Sequence, residues 1–119
     1  MKKVLIVDDS ITVARQLEKI VSSTGEFEVI AQARNGAEAL KLHRSEKPDI
    51  ICMDMNMPVM CGLTALRTMV AVDKEVKVIM VTSLGGVGDK FTEALKFGAR
   101  NVVSKPFDKD VVLEALRAA

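Results

Sequence analysis

The sequence predicts an α/β fold, a doubly wound, five-stranded parallel sheet covered by five helices in three α/β/α layers. Two observations predict it. Short apolar runs typical of buried strands alternate strictly with longer stretches of helical periodicity, which implies right-handed crossovers and a parallel sheet. The 119 residues are 49% hydrophobic and 28% charged, the composition of an ordinary globular chain. We therefore expect one domain, residues 1–119.

The chain opens with a strand and a helix. The run Val4 to Val7 is continuous and apolar, which suits a strand buried on both faces. Ser10 or Thr12 can cap the following helix, and Gly25 can stop it. The apolar stripe predicted to face the core comprises Val13, Leu17, Ile20, Val21 and Thr24.

An edge strand and a weak helix come next. Alternation of more and less apolar residues from Phe27 to Arg34 fits a strand at the edge of the sheet. The pair Asn35-Gly36 then punctuates the chain, and a helix with a modest apolar face ends before Pro48.

The third strand, loop and helix follow. Ile50 to Met53 is again of the fully buried type, and this strand ends at Asp54. The residues from Met55 to Gly62, with Pro58 among them, predict a loop. The next helix is marked by Leu63, Leu66, Met69 and Val70.

The remaining two units repeat the pattern. Val76 to Val81 predicts the fourth strand, followed by Thr82 and a Gly85-Gly86 turn. The fourth helix carries Phe91, Ala94, Leu95 and Gly98. The fifth strand runs from Asn101 to Ser104, and the last helix is capped by Asp108 or Asp110, with Val112, Leu113 and Leu116 facing the core. The flavodoxin-like strand order 2-1-3-4-5 is taken from the common arrangement of such folds and does not follow from the pattern itself.

Charge and composition exclude several functions. A net charge of +1 offers no basic field for nucleic acid and no polybasic cluster for a membrane. Lys2 and Lys3 precede an apolar run too short for a signal peptide, so we expect a cytoplasmic protein. Cys52 and Cys61 are expected to be packing thiols, and His43 a solvent-facing residue without a partner.

Chemically capable side chains follow four of the five predicted strands. Asp8 and Asp9 follow the first strand, Asp54 ends the third, Thr82 the fourth and Lys105 the fifth. Parallel strands bring such residues to one edge of the sheet, where ligands of these folds bind. Three carboxylates there repel one another more than one lysine can offset, which predicts a hard divalent cation.

Mg²⁺ fits this requirement because it prefers carboxylates, waters and a phosphate oxygen. We expect Asp9 and Asp54 to be direct ligands, Asp8 to act partly through water and the backbone carbonyl of Asn56 to complete the set. Asp54 can then serve as a carboxylate nucleophile for phosphoryl transfer, while Lys105 neutralises phosphoryl oxygens. The Thr82 hydroxyl can donate to one of those oxygens, which would pull in the loop behind it. The methionines around Asp54 are expected to fill gaps in packing.

The chain resembles the receiver domain of two-component response regulators along essentially its whole length. The strings VLIVDDS, MDMNMP, VTS and SKPF occur in that family's order. The resemblance implies that Asp54 is the phosphoacceptor, Asp8 and Asp9 the acidic pair, Thr82 the switch hydroxyl and Lys105 the family's lysine, followed by a cis bond to Pro106. It also implies a sensor histidine kinase as phosphoryl donor.

The same resemblance suggests how the output works. It implies a downstream target that docks on the face formed by the fourth helix, fifth strand and fifth helix. Stand-alone chemotaxis receivers are the nearest comparison, because the chain ends within the fifth helix. The chain would then catalyse only its own phosphorylation and dephosphorylation, contact no nucleic acid, stay out of the membrane and be a monomer before phosphorylation.

Three departures from the family pattern limit this inference. Val102 stands where many relatives have an aromatic switch residue, so a moving ring cannot be the readout. Leu84 and Asn56 occupy positions that tune hydrolysis of the phosphoaspartate, and an apolar Leu84 predicts slow self-dephosphorylation, which a phosphoryl lifetime of seconds would contradict. Cys61 replaces an aspartate often found before the loop glycine, which questions the local capping.

Other functions stay open at this point. The chain could be the receiver of a larger regulator with a DNA-binding or methylesterase effector. A haloacid-dehalogenase-type phosphatase also uses an aspartyl nucleophile with Mg²⁺, but it needs a second aspartate where this chain has Asn56. A flavin carrier of the same fold would have its phosphate repelled by Asp8 and Asp9.

Overall fold

A computed structural model describes the backbone of residues 1–83 and 89–119 and the side chains of residues 1–83 and 92–119. Its strands are β1 (Lys2–Val7), β2 (Phe27–Ala33), β3 (Ile50–Asp54), β4 (Val78–Thr82) and β5 (Asn101–Ser104). Its helices are α1 (Ile11–Ser22), α2 (Gly36–Glu46), α3 (Gly62–Val72), α4 (Asp89–Lys96) and α5 (Lys109–Ala118). The expectations for Leu84, the Gly85-Gly86 turn and the side chain of Phe91 lie outside the described residues.

The sheet is parallel throughout and has the order β2-β1-β3-β4-β5, which confirms the expected arrangement. The register aligns the functional ends of the strands. Val7 pairs with Met53, so Asp8 and Asp54 follow at the same level. Thr82 pairs with Ser104, so Lys105 emerges directly beyond Thr82.

The two faces of the sheet form two hydrophobic cores. Strands β1 and β3 are buried on both sides, as their continuous apolar runs predicted, and successive residues alternate between the cores. The core under α1 and α5 contains Val4, Ile6, Leu17, Val21, Ile50, Cys52, Leu113 and Leu116. The core under α2, α3 and α4 contains Leu5, Val7, Ile51, Met53, Leu66, Met69, Met80 and Ala94. Each large apolar side chain buried there contributes roughly 1.5–3 kcal/mol, which holds the sheet edge rigidly in place.

Capping side chains start α1 and α5 at defined residues. The Ser10 hydroxyl accepts a hydrogen bond from the backbone N–H of Val13 at 3.3 Å. The Asp108 carboxylate accepts from the N–H groups of Asp110 and Val111. Ser10 and Asp108 are therefore the caps among the alternatives that the sequence left open.

Two predicted helix faces differ from the observed ones. In α1 the buried side chains are Ala14, Leu17 and Val21, whereas Thr24 lies exposed beyond the helix. Gly98 follows α4 instead of belonging to it, with a φ of 113° that ends the helix. In both cases the helical spacing used for the prediction ran past the point where the backbone leaves helical geometry.

The prediction of a solvent-facing His43 was wrong. Its Nε2 lies 3.2 Å from Oδ2 of Asp73, the residue that follows α3, and only 13% of its side chain is exposed. The partner comes from another helix, because α2 and α3 pack side by side over the same core. Periodicity within α2 contains no information about this contact.

Among the described residues, no helix is both long and apolar enough to cross a membrane.

Candidate functional site

Three carboxylates meet at the carboxyl end of the two central strands. Asp8 and Asp9 follow β1 and Asp54 ends β3, and one carboxylate oxygen of each lies within 4.8 Å of those of the others. Asp8 and Asp54 are each only 5% exposed, whereas Asp9 is exposed. The structure thus brings together the acidic residues that the sequence placed at this edge.

Lys105 extends its ammonium group into this acidic cluster. Its Nζ lies 3.2 Å from Oδ2 of Asp8 and 3.4 Å from Oδ2 of Asp54. The peptide bond from Lys105 to Pro106 is cis, as the resemblance implied. One cation therefore faces two nearly buried carboxylates, and Asp9 adds a third negative charge.

Backbone N–H groups orient the two buried carboxylates. Oδ1 of Asp8 accepts from the N–H of Ser10 at 2.9 Å, and Oδ1 of Asp54 accepts from the N–H of Asn56 at 3.3 Å. Each of the two buried carboxylates thus has one oxygen held by a backbone N–H and the other beside the Lys105 ammonium, whereas Asp9 is exposed.

Ser10 was recognised from the sequence only as a helix cap. The structure adds that its backbone holds Asp8. An acidic residue two positions before a serine is a local pattern that favours such a turn, so a closer reading of this stretch could have found it.

Thr82 lies at the end of β4, beside Asp54 in the sheet. It is 8% exposed, and its carbonyl accepts the N–H of Lys105 at 2.7 Å. The carbonyl of the preceding Val81 accepts the N–H of Met55 at 3.0 Å. These bonds place the threonine next to both the candidate nucleophile and the lysine, as the order of the strands predicted.

The pKa of the Asp54 carboxyl is raised above its ordinary value, first because burial disfavours the charged form and second because Asp8 repels it. The Lys105 ammonium and the Asn56 N–H act in the opposite direction and offset only part of this effect. A nearby cation would stabilise the ionised form of Asp54, which burial and Asp8 disfavour.

Without metal, the Asp54 charge should reduce the stability of the fold at neutral pH. In the unfolded chain Asp54 titrates near 3.8, and its folded pKa is higher. The protonated Asp54 carboxyl therefore favours the folded state, and this stabilisation is complete below about pH 3.8 and is lost as the pH rises through the folded pKa.

We expect Asp54→Asn to have the same melting temperature as the native chain at about pH 3.5 and a melting temperature on the order of 4 °C higher at neutral pH. Thermal melts in metal-free buffer test this, with the exposed Asp110→Asn as control; a variant that melts no higher at neutral pH would contradict it.

The residues present fit a hard divalent cation. The cluster supplies only carboxylate oxygens, the ligand type that Mg²⁺ prefers, and its negative charge exceeds that of the single lysine. Asn56 lies exposed two residues after Asp54, and its backbone N–H contacts Oδ1 of Asp54.

The loop after Asp54 packs its methionines inward. Met55 is 3% exposed, and Met57 and Met60 pack partly buried against the core under α2, α3 and α4, which confirms their gap-filling role. Cys61 is the N-cap of α3, but its side chain makes no capping hydrogen bond. The sequence comparison had predicted this loss of capping, because Cys61 replaces an aspartate there. The prediction that Cys61 is a packing thiol was wrong, because Cys61 is exposed at the end of this loop.

Cys52 has the packing role that the sequence predicted. It is buried in β3, and this burial raises the pKa of its thiol to about 12. Val102, at the position of the missing aromatic residue, is partly buried and packs against the core under α2, α3 and α4.

Comparison with known proteins gives consistent similarities. The response regulator receiver domain family matches residues 4–117. The chain is 44% identical to the chemotaxis protein CheY of Listeria monocytogenes over 119 residues, covering all of this chain and 98% of that protein. It is 49% identical over 107 residues to a protein-glutamate methylesterase/protein-glutamine glutaminase of Rhodospirillum rubrum, covering 89% of this chain and 28% of that protein.

A solved structure is similar in the same way. The crystal structure of the CheX-CheY-BeF3-Mg complex from Borrelia burgdorferi contains a chain that matches with a TM-score of 0.93 and 35% identity. The match covers 98% of this chain and 87% of that chain.

Proposed function

Because this chain belongs to the response regulator receiver domain family, we propose that its acidic edge is a phosphorylation site at which Asp54 accepts a phosphoryl group. The observation that carries this proposal is the nearly buried Asp54 carboxylate, which faces Lys105 and two further carboxylates at one sheet edge. As a homologue of the CheY proteins, the chain is a two-component receiver of the chemotaxis type.

In the proposed reaction, a carboxylate oxygen of Asp54 attacks the phosphorus of a phosphohistidine on a sensor kinase. The new O–P bond forms as the P–N bond breaks, and the electron pair of that bond stays on the imidazole nitrogen, which takes up a proton. The Asn56 N–H and the Lys105 ammonium orient the Asp54 carboxylate from its two oxygens. Catalysis is therefore mainly positioning and charge compensation.

Asp9 and Asp54, with Asp8 partly through water and the Asn56 carbonyl, would hold Mg²⁺. When bound, the metal supplies positive charge that offsets the phosphoryl oxygens and the carboxylates. Lys105, already 3.4 Å from Asp54, provides the second positive charge for the new group. The Borrelia complex, which contains Mg and BeF3 with a similar chain, supports the choice of Mg²⁺ as the metal.

Thr82 is proposed as the switch residue. The phosphoryl group adds about −1.5 to −2 charges beside it. The Thr82 hydroxyl would donate to a phosphoryl oxygen and draw the end of β4 toward the site. Since Lys105 bonds to the Thr82 carbonyl, movement there would reach the start of the α5 unit.

The proposed output face is formed by α4, β5 and α5. Leu95 on α4 and Val111 on α5 are large apolar side chains that are 42% and 51% exposed, which gives a downstream protein apolar area to bury. Val102 on β5 is partly buried, so a change in its packing, not a ring flip, would transmit the signal. Receiver domains are signalling modules, and we expect catalysis only of self-phosphorylation and dephosphorylation, in the cytoplasm and on a monomer before phosphorylation.

An effector attached to this receiver is the alternative that an observation favours. The Rhodospirillum methylesterase contains a segment 49% identical to this chain, and the chain covers only 28% of that protein. The intact mass of the protein isolated from its native source separates the alternatives, because an attached effector would add to the 13.0 kDa of this chain.

The experiment that tests the proposal is phosphorylation with acetyl phosphate in the presence and absence of Mg²⁺, followed by intact mass. We expect one phosphoryl group to be gained with the metal and essentially none after chelation, because carboxylate repulsion then opposes the incoming anion. Equal uptake with and without metal, or none under either condition, would overturn the proposed mechanism.

A further inference from the structure

The loop that follows Asp54 is tied to the start of α2. The Gly36 N–H donates to the Met60 carbonyl at 3.2 Å. A Cβ on Gly36 would lie 2.7 Å from that carbonyl oxygen and 2.9 Å from the Met60 Cβ. Such distances are too short for a side chain, so glycine permits the close approach of the two backbones.

The same loop contains a strained turn. The φ of Val59 is 69°, and the N–H of Met60 donates to the carbonyl of Pro58 at 2.7 Å, which closes a three-residue turn. A β-branched residue rarely adopts this conformation. Val59 is 83% exposed, so burial of its side chain does not compensate for the strain. The surrounding contacts must hold the turn in place.

Anchors at both ends of the loop provide these contacts. At its start the Met55 N–H donates to the Val81 carbonyl, and the Met55 carbonyl accepts the N–H of Gly62 at 2.9 Å. Near its end, the Met60 carbonyl accepts the N–H of Gly36. Asn56, whose N–H orients Asp54, lies between these anchors.

We propose that Gly36 is a positioning residue for the phosphorylation site. By allowing α2 to contact the Met60 carbonyl, it places the strained loop so that the Asn56 backbone meets the site. This inference rests on the proposed function, since it assigns to the loop the task of presenting Asn56 to Asp54 and the metal. Gly36 touches no reacting atom and acts only through Met60.

The test is the Mg²⁺ affinity of Gly36→Ala, measured by an NMR titration that follows the amides of Asp9 and Asn56. Helix propensity alone predicts that alanine stabilises α2. The proposal predicts about a tenfold weaker Mg²⁺ affinity, the size expected when a group supporting a metal ligand is displaced. The control is Val21→Ala, which opens a cavity at a fully buried site in α1, outside this loop, and should leave the affinity unchanged.

A rescue variant separates positioning from general damage. Val59→Gly relieves the turn, so combined with Gly36→Ala it should let Met60 shift without dragging Asn56 and should recover most of the affinity. An unchanged affinity in Gly36→Ala, or no recovery in the folded double variant, would overturn the proposal. If the native chain itself binds no Mg²⁺, the proposed function fails instead.

The native protein offers a second test that needs no variant to fold. Hydrogen exchange at the Gly36 amide should slow when Mg²⁺ is added, because a metal held at Asn56 would restrain the loop on which the Gly36–Met60 bond depends. Exchange unaffected by saturating Mg²⁺ would contradict the proposal.

Discussion

Asp54→Asn is expected to abolish phosphoryl uptake from acetyl phosphate in the presence of Mg²⁺. The carboxamide has nearly the same shape but is a much weaker nucleophile and carries no charge, so it can neither attack phosphorus effectively nor serve as an anionic metal ligand. The fold should remain intact, because the substitution removes a charge that burial and Asp8 already disfavour. Intact mass after incubation should show one added phosphoryl group on the native chain and none on the variant.

The matched control is Asp110→Asn, which makes the same chemical change at an exposed residue in the first turn of α5. This variant should gain a phosphoryl group from acetyl phosphate at the same rate as the native chain. A gain in mass that persists in Asp54→Asn would place the phosphoacceptor elsewhere and leave the acidic edge with a structural role.

Lys105→Ala is expected to slow phosphorylation by about 10²–10³-fold, the usual cost of removing one group that stabilises developing charge. It should also destabilise the metal-free fold by on the order of 2 kcal/mol, because the Asp8 and Asp54 side chains, 3% and 6% exposed, would lose the cation they share. Rates at saturating acetyl phosphate with Mg²⁺ measure the first effect, and urea unfolding in metal-free buffer measures the second.

Lys105→Arg keeps the charge and serves as the control. Its larger, planar group fits the space between the two carboxylates less well, so we expect it to retain stability better than rate. If Lys105→Ala phosphorylates as fast as the native chain, the lysine balances charge only in the resting state and takes no part in the transfer.

The fold could be predicted largely from local pattern. The runs around Ile6 and Ile51 are apolar at every position, which is typical of strands covered on both faces, and both lie in the middle of the sheet. The edge position of β2 followed from its alternation. Helix ends could not be predicted as well, because residues at helical spacing continue past the last helical residue, as at Thr24.

Much of the candidate site was also predictable, since parallel strands bring their carboxyl ends to one edge. The strands preceding Asp8, Asp54, Thr82 and Lys105 could be recognised individually, and their parallel arrangement then implied that these residues meet. The backbone details could not be predicted in this way. The turn at Val59 and its tie to Gly36 depend on a contact between a loop and a helix that no short-range pattern encodes.

The sequence by itself thus determined the α/β class, the strands and the acidic edge with its lysine, because periodicity and the residues at strand ends are local properties of the chain. Only the tertiary structure decided which oxygen faces which donor, that His43 pairs with Asp73, and that the Gly36 N–H bonds to Met60 in the loop after Asp54. The physical reason is that these contacts join segments distant in the chain. Their distances depend on how helices pack over the sheet, to a precision of a fraction of an ångström that hydrophobic patterning does not specify.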